Sequence, residues 1–431
     1  MTPLVRAGAL VLVASVPACT CGKPAPPPAA QEDAAPVASA SAAPVADPGG
    51  LSAPIAGARV EAGGVVVVGL DVPAKAIRVQ KIDAKDAVVA ERMVLSGITW
   101  SSEADLKLVP AGAGVALTWR GKRDGKLVRQ VVVLGADLAP KGDPVDVKAA
   151  ACATQDAVWS TDGKHVDGRT WAGASSRADL PKDKDASLVC GAHVAYAMLD
   201  DDDGTSVTSF GGHADAGAKT VSLLSDSAFG DDQPRESAPY TVGDDLGVVR
   251  LGESGALALR EIASGTAGPL RKLTTKLSRD ADVVAVDASS KVVVVVYTED
   301  AASVCDGGLG TRVLALRIDR ASLEESTHEL APPACGREVG PFFTGAQGDA
   351  VAVSWVERVP VRGQARAPIE GLAYRVVPAT GAPPALGRVE QPADALVDAG
   401  CDASRCYAVA LARKPGMDAM VPGVAKVLRY P

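Results

Sequence analysis

The strongest constraint on this chain is a short recurring pattern in which alternating apolar residues run into an arginine. Leu257-Ala258-Leu259-Arg260, Leu314-Ala315-Leu316-Arg317 and Leu372-Ala373-Tyr374-Arg375 share it, with arginines 57 and 58 residues apart. Weaker members, Ile77-Arg78, Val128-Arg129 and Leu428-Arg429, extend the series, and the steps become 51, 131, 57, 58 and 54 residues. The step of 131 holds two periods, so one degenerate copy is expected inside it, in Ser206–Phe210 or Thr220–Leu224. Six steps averaging 58.5 residues then define seven units. A period of this length marks a unit that cannot bury its own apolar face and stacks on copies of itself.

Each unit reads as an apolar strand, a turn and a second strand. The pairs are Val65–Leu70 with Ala76–Ile82, Val115–Trp119 with Leu127–Leu134, and Leu246–Leu251 with Ala256–Ile262. Three more follow: Val292–Tyr297 with Val313–Ile318, Val351–Trp355 with Leu372–Val377, and Tyr407–Leu411 with Val427–Tyr430. Two first members are also alike, Gly114-Val115-Ala116-Leu117-Thr118-Trp119 and Ala350-Val351-Ala352-Val353-Ser354-Trp355. β-branched runs bounded by Gly, Asp and Pro, without a sustained 3.6-residue period, make this an all-β chain. With 47% hydrophobic but only 3% aromatic residues, Val, Ala and Leu must build the core, and 44 Gly and 30 Pro supply frequent turns. A lone hairpin is marginal, and radial stacking leaves only short, protected edges. Residues 58–431 therefore resemble the β-propeller superfamily, as a seven-bladed propeller-like repeat domain. A six- or eight-bladed ring and a pair of β-sandwiches are the alternatives. The recurring arginine is read as a strand-end cation that pairs with a neighbouring blade.

The N-terminus points to export. Arg6 precedes the apolar run Ala7–Val16, which ends in Val16-Pro17-Ala18-Cys19. The run is too short for a spanning helix, which needs about 20 apolar residues, and has the order of a signal peptide. Its end resembles a bacterial lipobox, with Val16 and Ala18 matching, Pro17 departing and Cys21 as a second cysteine. The resemblance implies a signal peptide over 1–18, lipidation of Cys19, and membrane attachment through that lipid anchor. An ordinary cleaved secretory signal is the alternative. Thr20 stands where inner-membrane retention typically has Asp, so the resemblance points to the outer membrane. Residues 19–57 contain a Pro/Ala-rich stretch with almost no large apolar residue, and are expected to be a disordered linker.

Six further cysteines, Cys152, Cys190, Cys305, Cys335, Cys401 and Cys406, form an even set in an exported domain and imply disulfides. The local pairing is Cys152 with Cys190, Cys305 with Cys335 and Cys401 with Cys406, the last cinching a turn. The competing zinc set of Cys152, His165, Cys190 and His193 lacks a recognised finger spacing. Asp200–Asp203 before Gly204 lacks the alternation of a calcium loop and reads as a solvated hairpin turn. Gly252-Glu253-Ser254-Gly255 stops short of a nucleophile elbow. His328-Glu329 has no second His at zincin spacing, and Gly308-Leu309-Gly310 lacks a third glycine. Asp167-Gly168-Arg169-Thr170-Trp171 resembles a degenerate Asp-box of sialidase-type propellers, a structural turn in that family.

A net charge of -8 argues against a phosphate-binding surface and so against nucleic acid. With no catalytic constellation and no cofactor motif, the chain reads as a non-enzymatic cell-envelope lipoprotein whose propeller is a protein-binding or scaffolding platform. The alternative is an envelope hydrolase or lyase with acidic residues, such as Asp231-Asp232 and Asp244-Asp245, at the propeller mouth. The segments between paired strands lengthen in the last three units, over Thr298–Arg312, Val356–Gly371 and Ala412–Lys426. Insertions at one position of a repeat fall on one face. An envelope protein partner is expected there, contacting Arg358, Arg362, Arg366 and Arg413.

Overall fold

Short β-branched runs closed off by turn residues satisfy their backbone groups by pairing with the next run along the chain. The structure is a computed structural model that describes residues 52–430, apart from 60–63, 86, 100–104, 112–113, 148–149, 172, 181–184, 202–203, 211–218, 226–233, 264–265, 306–309, 360–368, 390–394, 402–405 and 413–423. Among the described residues the chain forms eight antiparallel sheets in strict sequence order, covering 52–96, 98–146, 150–179, 185–225, 234–276, 282–335, 338–389 and 395–430. Called first to eighth in chain order, seven have four strand positions, and the eighth has three among the described residues. In the second sheet Ile98–Thr99 and Asp105–Ala111 pair along the same strand, and in the fifth Thr266–Ala267 and Arg271–Lys276 do so.

All six apolar pairs read from the sequence are the second and third strands of a sheet. Second strands are covered on both faces and so read as continuous apolar runs; Val292 to Val296 are all at 0% exposure. Outer strands face solvent and carry charge, as in Val88–Ser96 with Glu91 and Arg92, and so form no continuous apolar run.

The apolar residues form eight clusters, each shared by two consecutive sheets. Alternation along a strand sends neighbours to opposite faces. Val66, Val68 and Leu70 of the first sheet accordingly pack on Val115, Leu117 and Trp119 of the second. The intervening Val65 and Val67 pack on Tyr407, Val409 and Val427 of the eighth. The stack closes on itself, and the first strands of neighbouring sheets approach one another from the third sheet round through the eighth and first to the second. This is a propeller-like ring. Burial of one Val, Leu or Phe side chain stabilises by roughly 1.5–3 kcal/mol, so each cluster is a stabilising unit that exists only when its neighbour is present.

Among the described residues the expected seven units are eight sheets, the number kept as an alternative to seven. The step of 131 residues contains two sheets, the third and the fourth. The fourth supplies the expected degenerate copy, Ser206–Phe210, within its third strand Gly204–Phe210. The third occupies only residues 150–179, and its third strand His165–Thr170 carries Arg169, a member of the arginine series outside the expected spacing. The linker boundary also moves, because the first strand Ser52–Arg59 begins inside the segment assigned to 19–57. Small residues gave it no apolar signature, and it is held by its ladder with Val65–Leu70.

The recurring arginines stitch the ring. Arg317 donates to the Pro378 and Gly381 carbonyls of the next sheet at 3.1 and 2.7 Å. Arg375 turns the other way, to the Glu329 and Leu330 carbonyls of the preceding sheet at 2.7 and 2.9 Å. Arg429 of the eighth sheet donates to the Asp83 carbonyl of the first at 2.6 Å, across the closure of the ring. Arg78 pairs with Asp71 and Glu91, and Arg260 donates to the Gly268 carbonyl at 2.8 Å, each within its own sheet. The expected pairing with a neighbour therefore holds for Arg317, Arg375 and Arg429.

Candidate functional site

In an antiparallel meander the turns between first and second strands, and between third and fourth, lie at one end of the sheet. Turns between second and third strands lie at the other. The ring thus has two faces, and each carries a candidate site.

On the second-to-third face, the connections of the sixth, seventh and eighth sheets run from Asp300 to Gly310, Arg358 to Ile369 and Ala412 to Val424. The corresponding turns of the second and third sheets are only residues 124–125 and 162–164. The three long connections leave from the same end of consecutive sheets. The first is pinned by Cys305–Cys335, which ties it to the end of the sheet's outer strand, and it exposes Val304. At the base of the second, buried Glu357 accepts from Arg337 at 2.8 Å and from Arg388 at 3.2 Å.

Arg358 departs from expectation. It is the last residue of strand Ala350–Arg358 and is only 7% exposed. It shares its strand face with Ala352 and Val356, which pack against the eighth sheet, so it belongs to the base of the loop and is withdrawn as a partner contact. Arg362, Arg366 and Arg413 lie outside the described residues.

The opposite face is zipped by its turns. Gln155 N donates to Ala192 O at 2.7 Å and Ala192 N donates to Gly243 O at 2.9 Å, joining the third, fourth and fifth sheets. His193 lies in the second of these turns, just before strand Ala195–Asp201 and not within it. Its Nδ1 is 2.6 Å from Asp156 Oδ2, and its backbone N donates to Asp244 Oδ1 at 2.6 Å. The hydrogen bond to Asp156 is the main cause that raises the His193 pKa above the ordinary histidine value. The Tyr196 hydroxyl donates to the Asp244 carbonyl, and burial, with Asp245 and Asp244 nearby, pushes its pKa up to about 12. Asp244, proposed for the mouth of an enzyme, is thus engaged in joining turns, while Asp231 and Asp232 lie outside the described residues.

Beside this zipper a cleft of about 180 Å³ opens between the second and third sheets. Buried Val131 and Val158 form its floor, and Lys141, Asp143, Arg169 and Trp171 stand around it. The indole is fixed in place, with Nε1 donating to Gln155 O at 2.7 Å and the backbone N to Asp156 O at 3.0 Å. Trp119, Trp159 and Trp355 are at 0–1% exposure, whereas Trp171 is partly open. Arg169 and Trp171 were visible in the sequence only as parts of the Asp-box-like run. Lys141 and Asp143 carried no signal there, because they arrive on a connection between strands.

All three expected disulfides are present: Cys152–Cys190, Cys305–Cys335 and Cys401–Cys406. The first joins the first strands of the third and fourth sheets, and the last spans a turn between paired strand ends. Cys19 and Cys21 lie outside the described residues. The alternative zinc set does not assemble, because two members are bonded to each other and His165 stands at the opposite end of its sheet from the turn that meets His193. Asp201 pairs with Gly204 across a hairpin, in keeping with a turn.

Among solved structures, the chain is similar to a prolyl endopeptidase, with 14% identity, 76% of this chain and 52% of that chain covered, and a TM-score of 0.46. It is similar to the WD40 domain of SCAP from fission yeast at 9% identity, covering 83% and 93% of the two chains with a TM-score of 0.44. A third similarity is to the acylaminoacyl peptidase of Pyrococcus horikoshii, at 11% identity, 72% and 50% coverage and a TM-score of 0.43. The chain spans about half the length of the two peptidase chains. No protein-family model matches the chain, and no curated protein matches its sequence.

Proposed function

We propose that this chain is an exported lipoprotein of the bacterial cell envelope whose propeller-like domain is a non-enzymatic platform for another envelope protein. The observation that carries the platform reading is the placement of three long connections at one end of three consecutive sheets. Loops on a rigid scaffold tolerate insertion and carry recognition. Cys305–Cys335 pins one of them, which lowers the entropy lost on binding. Partner contact is assigned to these connections, including Arg362, Arg366 and Arg413.

Export and anchoring rest on the leader sequence and on three disulfides, which persist in oxidising compartments. Lipidation of Cys19 would place the folded ring at the outer membrane at the end of a Pro/Ala-rich tether, with removal of residues 1–18. Mass spectrometry of the mature N-terminal peptide tests this half: a diacylated Cys19 is expected, and Cys19→Ser should release the protein from membranes. An unlipidated N-terminus would refute it. For the platform, shortening the connections of the seventh and eighth sheets to tight turns, with the sixth kept intact for its disulfide, should abolish cross-linking to the envelope partner while leaving the melting transition unchanged. Cross-linking that survives both deletions would place the binding surface elsewhere.

A further inference from the structure

We propose that the cleft between the second and third sheets is a binding site for a hexuronate, a sugar that carries a carboxylate. Cross-strand partners share one face of a sheet. Arg375 lies opposite Val353 and Arg169 lies opposite Val158, and both valines pack toward the preceding sheet. In the seventh sheet that position is consumed by structure, since Arg375 holds two carbonyls of the preceding sheet and the Pro384 carbonyl of its own connection. In the third sheet the same direction leads into the open cleft. Among the described residues the Arg169 guanidinium makes no hydrogen bond or ion pair, and the carboxylate of Asp167 on its own strand is taken by Arg177.

The groups around the cleft define its ligand. Arg169 and Lys141 present two cations to one carboxylate, Asp143, so the cleft favours an anion, and an exposed guanidinium binds a carboxylate through paired N–H donors. Trp171 offers a flat apolar wall that its Nε1 bond holds still. Asp143 supplies acceptor oxygens for hydroxyl groups. A carboxylate, a ring of hydroxyls and a flat C–H face occur together in a hexuronate. The volume of about 180 Å³ is below the range of drug-sized pockets and suits one sugar ring. There is room at the rim, because a Cβ added at Gly142 or Gly173 would meet nothing within 4 Å.

The test uses full-length protein labelled with ¹⁵N-tryptophan, with the Trp171 indole signal assigned through Trp171→Phe. Sodium glucuronate should shift that signal, and glucose, acetate and N-acetylalanine should each bind at least tenfold more weakly. Arg169→Ala should weaken glucuronate binding at least tenfold without changing the melting temperature, and Arg169→Lys should restore part of it. Acetate binding as tightly as glucuronate would reduce the cleft to an adventitious anion site, and N-acetylalanine doing so would assign it to peptide carboxylates. Either result overturns the proposal. So would an unmoved Trp171 signal, or glucuronate binding that Arg169→Ala leaves intact.

Discussion

Removing the side chain of Arg375 tests whether the recurring arginines hold the ring together. Its guanidinium makes three bonds of 2.7–2.9 Å, to Pro384 O, Glu329 O and Leu330 O, so it fastens the outer strand of the sixth sheet to the seventh. Bonds from a charged donor contribute about 1.5–3 kcal/mol when buried, but these are partly open to solvent, and about 1 kcal/mol each is the appropriate discount. Arg375→Ala should therefore cost about 3 kcal/mol. With a urea dependence of about 3 kcal/mol/M, the unfolding midpoint should fall by roughly 1 M. Arg169→Ala is the matched control, since it removes an arginine from a third strand facing the preceding sheet where no protein partner is engaged, and it should stay within about 0.5 kcal/mol of wild type. Urea unfolding followed by intrinsic tryptophan fluorescence reads both. A loss below about 1 kcal/mol for Arg375→Ala, or equal losses for the two variants, would refute the reasoning.

Three other outcomes follow from the geometry. Removing Cys152–Cys190, with a separation of 38 residues, should cost about 4 kcal/mol, against about 2 kcal/mol for Cys401–Cys406, with a separation of 5, because the longer loop restricts the unfolded chain more; paired Cys→Ser variants compared by denaturation check the order. Gly168→Ala should cost about 1–3 kcal/mol, since its Cβ would lie 2.5 Å from the Trp159 ring, which is buried in the cluster between the third and fourth sheets; Gly163→Ala, where a Cβ meets nothing but φ is +84°, separates backbone strain from this clash. His193 has a raised pKa in the folded state, so its bond to Asp156 contributes fully below the ordinary histidine value and is lost as pH rises through the raised one. The melting-temperature gap between wild type and His193→Gln should accordingly be wider at pH 6 than at pH 9, and a gap independent of pH would show that the ion pair is idle.

Much of the architecture is written locally. Val292–Val296 can only be a strand buried on both faces, because no helix of that length is stable and no exposed strand carries five consecutive valines. The Leu-x-Leu-Arg series marks third strands for the same reason of alternation, and the six cysteines pair with neighbours in sequence that the meander brings to adjacent strand ends. The number of sheets was not legible, because the third sheet is compressed into 30 residues, 150–179, and the fourth has no arginine in its third strand. Outer strands such as Val88–Ser96 and the small-residue first strand Ser52–Arg59 lack an apolar signature, since one faces water and the other draws its stability from its ladder.

Function depends on what the ring places side by side. Arg358 looked like a surface cation in a loop, and only the packing of the seventh sheet on the eighth decides that it is buried. Lys141, Asp143, Arg169 and Trp171 are spread over 31 residues and two sheets, and no spacing rule links them. They meet because radial packing leaves a gap between two particular sheets at one end. Strand pairing follows from the order of residues along the chain, whereas a cleft between sheets follows from how each wedge fills the angle left by its neighbours, a property of all eight sheets together.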